Sequence, residues 1–191
     1  GLYLLTNVNN TVIYSNNITS TSNGDGIYIA SSSGNNLTSN IVTTTGALGD
    51  GITLDTSDNI TLVSNTINTA QGVSLNIIGA TASKFNHTLS LNTAHNKPIV
   101  YYFAQDNLVI RDNSTQGLLY VTASNNITID NISISHAEGI YFGLVNNSIV
   151  RNSNLTNVSG FGVWAYRSSN NSINTNIIST SQGYDYGVYL D

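Results

Sequence analysis

Cysteine and methionine are absent from this chain, proline and tryptophan each occur once, and charged residues make up only 8%. Without cysteine, neither a disulfide scaffold nor a thiolate metal site can form. An ordinary soluble domain carries about a quarter charged residues. Here Asn, Ser, Thr and Gly stand in their place, and these are weak helix formers, so a mostly helical fold is excluded. The net charge of −5 includes only five Lys and Arg. No basic patch is available to meet a phosphate backbone, and a nucleic-acid partner is not expected. No run of 18 apolar residues and no charged-then-apolar leader is present, so we expect neither a transmembrane segment nor a precursor. The chain reads as a mature protein or a piece of a longer one. Its 191 residues suit a single domain with a sizeable core.

What is present is a repeat. A glycine followed by a short apolar triplet returns as GLYL at Gly1, GIYI at Gly26, GITL at Gly51, GVSL at Gly72, GLLY at Gly117, GIYF at Gly139, GVWA at Gly162 and GVYL at Gly187. PIVYY at Pro98 stands where a glycine is missing. Pairs of Asn, or Asn with Asp, keep the same register at Asn10/Asn16, Asn35/Asn40, Asn59/Asn65, Asn86/Asn92, Asn107/Asp112, Asn126/Asn131, Asn147/Asn152 and Asn171/Asn176. Eight openings and eight pairs define eight turns of one unit.

The residues inside the period select an all-β parallel β-helix. Leucine-rich repeats need a helical return that these Ser/Thr/Asn stretches cannot supply, and a propeller blade needs about twice the period. In the turn from Gly51 to Gln71, Ile52 and Leu54 alternate with Thr53, Ile60 and Leu62 form a second inward pair, and Ile67 begins a third strand. The opening glycines are expected at corners that need positive φ or close approach. The Asn residues are expected to turn corners and to form amide ladders between rungs.

Twelve Asn-x-Ser/Thr sequons lie at Asn9, Asn17, Asn36, Asn59, Asn86, Asn113, Asn126, Asn131, Asn146, Asn154, Asn157 and Asn170. About seven would arise by chance at this composition. The excess points to an extracellular, glycan-bearing surface protein.

The segments GIYIASSSGNN and SSNNSINTNIIST resemble the parallel β-helix repeats of carbohydrate-binding and sugar-hydrolase domains and of the periplasmic nitrous-oxide-reductase maturation protein. NKPIVYYFAQDNLVI with GLLYVTASNNITIDNISISHAEGI is similar to a segment common in archaeal surface proteins. The resemblance implies a right-handed β-helix and leaves enzyme, adhesin and structural roles open. Enzymes of this fold work through carboxylates projecting from neighbouring rungs, and the candidates are Asp25 and Asp50, each in Gly-Asp-Gly, with Asp55 and Asp58 nearby. The same Asp25 and Asp50 could offer oxygen to Ca2+, although Asp-Gly is also a common turn dipeptide. The Asp pair, Gly-His-Gly and Arg-x-Lys of polygalacturonase-like enzymes are missing. Arg111, Arg151 and Arg167 are scattered, and His87, His95 and His136 lack ligand spacing. No catalytic residue is assigned.

Counting the opening glycine as first, the third position is expected to face outward and reads Tyr3, Tyr28, Thr53, Ser74, Leu119, Tyr141, Trp164 and Tyr189. Tyr3, Tyr28, Tyr141, Trp164 and Tyr189 are therefore candidates for contact with a glycan or a protein partner. No amphipathic cap is visible at either end, so either the sequence is cut from a longer β-helix or its ends stack head to tail into a homo-oligomer or polymer. Two functions follow as expectations. The first is a structural or adhesive component of a surface layer, sheath or filament. The second is a polysaccharide-binding or polysaccharide-cleaving module.

Overall fold

A computed structural model describes residues 1–181 and 185–191. The chain is a parallel β-solenoid whose residues divide into two compact units, Gly1–Ile99 and Val100–Asp191. In the first unit each turn supplies three short strands. The first face stacks Leu2–Leu5, Ile27–Ala30, Ile52–Asp55 and Leu75–Ile78. The second stacks Val12–Tyr14, Asn36–Thr38, Thr61–Val63 and Thr88–Ser90, and the third Asn17–Ser20, Ile41–Thr44, Thr66–Thr69 and Thr93–Ala94. Pairing is parallel throughout these three stacks, and like residues align, Ile27 on Ile52 and Leu37 on Leu62. One antiparallel contact interrupts the pattern, where Thr93 pairs with Pro98 and Ala94 with Lys97. The second unit repeats the plan. Its first face stacks Leu118–Thr122, Ile140–Gly143, Phe161–Tyr166 and Tyr186–Leu190, and its second Val109–Arg111, Thr128–Asp130, Ile149–Arg151 and Ser172–Asn174. Its third face stacks Ser133–Ser135, Asn154–Val158 and Ile177–Thr180. No helix among the described residues is long and apolar enough to cross a membrane.

Strands of three to five residues cannot hold themselves together, and the stack does it for them. Each rung's N–H groups meet the carbonyls of the next, as in Leu2 to Gly26, Ile27 to Gly51 and Ile52 to Ser74 at 2.8–2.9 Å. Alternation then sends one row of side chains inward. Ile52, Leu54, Ile60, Leu62 and Ile67 are all fully buried, as expected from their spacing. Burial of each contributes about 1.5–3 kcal/mol.

The corners differ from expectation in two ways. The opening glycines are there for close approach and not for left-handed backbone, because among the described glycines only Gly34 and Gly160 have positive φ. A Cβ on Gly26 would collide with the Val42 side chain and lie 2.7 Å from the Gly51 carbonyl. The left-handed positions are taken mostly by polar residues, with Leu91, Ala104, Ala123 and Leu144 as exceptions, and the members of the Asn pairs divide between turning the chain, as Asn10 and Asn59 do, and bridging rungs, as Asn171 and Asn176 do. In the first unit Ser15, Ser39 and Ser64 turn the chain with φ of 53–56°, and the following Asn16, Asn40 and Asn65 point between rungs. In the second unit Asp112, Asn131 and Asn152 themselves take φ of 52–55°.

The first-unit Asn residues form a buried ladder. Asn65 Oδ1 accepts from the backbone and side-chain N–H groups of Asn40, both at 3.0 Å. Its Nδ2 donates to the Leu37 carbonyl at 2.8 Å and to Asn92 Oδ1 at 2.9 Å. Both lone pairs and both hydrogens are used, so a polar side chain sits in the core without a desolvation deficit.

Asn65→Ala strands two donors of Asn40 as well as the Leu37 carbonyl, and we expect a loss of about 2–4 kcal/mol by chemical denaturation. Ile60→Asp and Ile132→Asp bury an unpaired carboxylate and should unfold at least the neighbouring rungs, read as a lowered or split thermal transition. An unchanged melt for both would contradict the inward assignment.

Candidate functional site

The residues most able to do chemistry gather at the corner before the first-face strands of the first unit. Asp25 and Asp50 precede Gly26 and Gly51 there, and each acts as a rung connector. Asp25 Oδ1 accepts the Asp50 N–H at 3.0 Å, and Asp50 Oδ1 accepts the Val73 N–H at 2.9 Å. Asp50 Oδ2 accepts Asn76 Nδ2 at 2.7 Å. Burial pushes the Asp50 carboxyl up to about 6, against the opposing pull of the Asn76 and Val73 donors, and the Asp25 charge adds to the rise. The neighbouring acids have cationic or phenolic partners instead. Asp55 Oδ2 accepts the Tyr28 hydroxyl at 2.7 Å, and that bond is the main reason the phenol is pushed up to about 12. Asp58 pairs with Lys84 at 2.5 Å. Among the described residues no group of three His, Cys, Asp or Glu could hold a metal. A metal at this corner would need neutral oxygen ligands beside the two carboxylates.

The aromatic column forms two separate groups. In the first unit the Tyr3 and Tyr28 rings lie 5.9 Å apart, and Tyr3 is 50% exposed. In the second unit the column is Tyr120, Tyr141, Trp164 and Tyr189 in register. Sequence spacing put Leu119 and Ser74 in outward positions. The structure puts Tyr120 and Asn76 there, because Leu118 and Ser74 occupy the places that glycine holds in neighbouring rungs. Tyr141 and Trp164, expected to offer contact surfaces, are 0% and 7% exposed. Their rings pack edge-on at 5.4 Å, and Phe161 covers both at 6.0 and 5.1 Å. That packing turns them into a second apolar layer outside the sheet. Tyr189, at 36% exposed, stays accessible above Phe161.

Three other groups complete the inventory. His136 sits exposed at a left-handed corner with φ 51°. Glu138, two residues on, is fully buried, as is Gln116, a placement that no spacing in the sequence signalled. His87 takes a ladder position. Its Nδ1 accepts the Ile60 N–H at 3.2 Å, the role that Asn35 Oδ1 plays for Thr11 at 2.8 Å. None of the twelve sequon asparagines is buried, and all but Asn36, Asn113 and Asn146 are fully exposed.

Three stacks of short parallel strands, in register about a filled apolar interior, define a β-helix in each unit. Residues 86–191, more than half of the chain, match the family described as a right-handed beta helix region, and the chain belongs to that family. No curated protein matches the sequence.

Burial lowers the His87 pKa to about 4, against about 6.5 in an unfolded chain. The unfolded state therefore binds the extra proton first, and His87's contribution, complete above pH 6.5, is lost as pH falls towards 4. Asp50 works in the opposite sense, gaining stability over nearly the same interval as pH falls. The difference between wild type and His87→Asn isolates the histidine. We expect wild type to lose about 2–3 kcal/mol relative to His87→Asn between pH 7 and pH 4, by denaturant titration. Parallel profiles would place the imidazole in water.

Proposed function

We propose that this chain is an extracellular structural or adhesive protein of a cell surface, a component of a layer, sheath or filament, N-glycosylated and self-associating through the open edges of its rungs. The carrying observation is where apolar side chains are left uncovered. In the second unit Val188 pairs with the fully buried Val163, and Leu190 with Ala165, yet Val188 and Leu190 are 43% and 68% exposed. They occupy inward positions, and among the described residues no strand covers them. In the first unit Leu5, Val12 and Tyr14 are exposed in outward positions, Val12 and Tyr14 beside Asn36 and Thr38, whereas the inward Leu4 and Ile13 of the same strands are only 6% exposed. Open strand edges with uncovered apolar rows favour another rung stacking on them. A second copy supplies strands of matching length and spacing.

Sedimentation and electron microscopy of the purified chain over a concentration series test the reading. Oligomers or filaments are expected for wild type and their loss for Val188→Lys/Leu190→Lys, whereas monodisperse wild-type monomers at high concentration would sink it.

Glycan occupancy follows from the same geometry. Asn17, Asn59, Asn86, Asn154 and Asn157 are exposed and hold no side-chain hydrogen bond among the described residues. Nδ2 of Asn126, Asn131 and Asn170 donates across rungs, to Asn107, Asp112 and Asn147 respectively. Glycopeptide mapping of native material should find the first five more fully modified than the ladder three; the reverse order would contradict this reading.

A polysaccharide-binding role is supported by one feature. A polar groove of about 310 Å³ in the first unit is lined by residues that include Asn7, Ser31, Ser33, Thr56, Asp58 and Lys84. It crosses successive rungs, as an extended sugar chain would. Retention on a neutral glycan array, lost in Asp58→Ala/Ser33→Ala, is the outcome expected of this second role.

A further inference from the structure

Buried polar atoms in native proteins nearly always have a hydrogen-bond partner, and an exception calls for a ligand, water or ion. In the first unit two such exceptions, on Thr53 and Asn76, fall beside the Asp50 carboxylate, and a third is on Gln71, the residue before Gly72. Thr53 Oγ1, Gln71 Oε1 and Asn76 Oδ1 are each buried with no geometrically sound hydrogen bond. All three are oxygens. Thr53, only 2% exposed, is the strand partner of Asn76, and its hydroxyl lies against the Asp50 carboxylate. Asn76 contacts Asp50 through its amide, and Gln71 adjoins Gly72, where a Cβ would stand 2.9 Å from Asp50 Oδ1. Asp25 closes the corner from the rung before, its Oδ1 held by the Asp50 N–H. Acceptors therefore outnumber donors here. Asp55 differs in accepting the Tyr28 hydroxyl, and Asp58 in pairing its Oδ2 with Lys84, although Asp58 Oδ1 is also buried without a partner.

We propose that Asp25, Asp50, Thr53, Gln71 and Asn76 form a binding site for a hard divalent cation, with Ca2+ as the ion of choice. Carboxylate, amide and hydroxyl oxygens in an irregular set suit the flexible six- to eight-fold coordination of Ca2+, whereas Mg2+ demands a near-regular octahedron. The absence of nitrogen and sulfur ligands at the corner disfavours Zn2+. Asn76 adapts by turning its amide over, which brings Oδ1 to the side of Asp50 where Nδ2 now donates. The ligands come from three consecutive rungs, Asp25 from the second, Asp50 and Thr53 from the third, Gln71 and Asn76 from the fourth. A bound ion therefore ties the stack together along its axis, whatever the chain assembles with.

Calorimetric titration of the EGTA-treated chain with CaCl2, with thermal melts alongside, tests the site. Wild type should bind about one Ca2+ and melt at a temperature that rises with Ca2+ concentration, with a weaker response to MgCl2. Thr53→Val, which removes one hydroxyl, should weaken Ca2+ binding at least tenfold, and Asp50→Asn should abolish it. Asp58→Asn, outside the site, should bind as wild type does. No saturable Ca2+ heat in wild type would overturn the proposal. So would equal Ca2+ affinity in wild type and Thr53→Val, a comparison that stands even where Asp50→Asn fails to fold.

Discussion

The structure depends on one constraint, that every polar group turned towards the interior must find its partner one rung away. Strands this short have no stability of their own, so the backbone N–H and C=O groups are satisfied only by stacking. Side chains at the corners obey the same condition. Asn65 meets it with four hydrogen bonds, to Asn40, Leu37 and Asn92, and therefore sits fully buried among Leu and Ile. The repeat persists because each rung completes its neighbour. An error in one rung leaves unsatisfied groups in two.

The two units meet the condition with different chemistry. In the first, Ser15, Ser39 and Ser64 turn one corner and send the following amide inward, while Asn10 and Asn59 turn another themselves. The second places Asn at the left-handed position itself, where the side chain points out and forms an exposed ladder such as Asn126 to Asn107 at 2.7 Å. Inward, smaller groups take over. Ser148 Oγ accepts the Ile127 N–H at 2.8 Å, and Asn171 Oδ1 accepts the Ser148 N–H at 2.9 Å. The narrower inward corner is matched by bulk on the outer face, where Tyr120, Tyr141, Phe161 and Trp164 pack into a layer of their own.

The alternation of Ile52, Leu54, Ile60 and Leu62 made the architecture legible, because a period of two within a period in the low twenties has few physical realisations. Register was legible only where glycine marks close approach in every rung. At Gly72 and Gly117 the marker is displaced, and Ser74 and Leu118 hold its place, so Asn76 and Tyr120 went unread. Tyr141 and Trp164 show a second limit. Spacing tells which side of a sheet a ring leaves from, but burial on that side depends on Phe161, a residue that precedes the strand-opening glycine of its own rung. The crowding of oxygens about Asp50 was hidden for the same reason, since Asn76, a rung away in sequence, meets Asp50 and Thr53 only through stacking.

A carboxylate and an amide solve the corner problem at different cost, and the difference bears on function. Asn40 and Asn65 donate and accept in equal measure and carry no charge, so their burial is balanced. Asp25 and Asp50 only accept, and their charges lie close enough to oppose one another. An Asn at position 50 could still accept the Val73 N–H without the desolvation penalty that lifts the carboxyl to about 6. In a chain with only ten Asp and Glu and thirty Asn, two acids at adjacent rungs of one buried corner are not what the ladder itself requires. Positive charge would offset their cost, and among the described residues no Lys or Arg forms an ion pair with either. The ladder is therefore scaffold where it is made of amides, and the corner where it is made of carboxylates is the place in the first unit where the proposed cation would add stability.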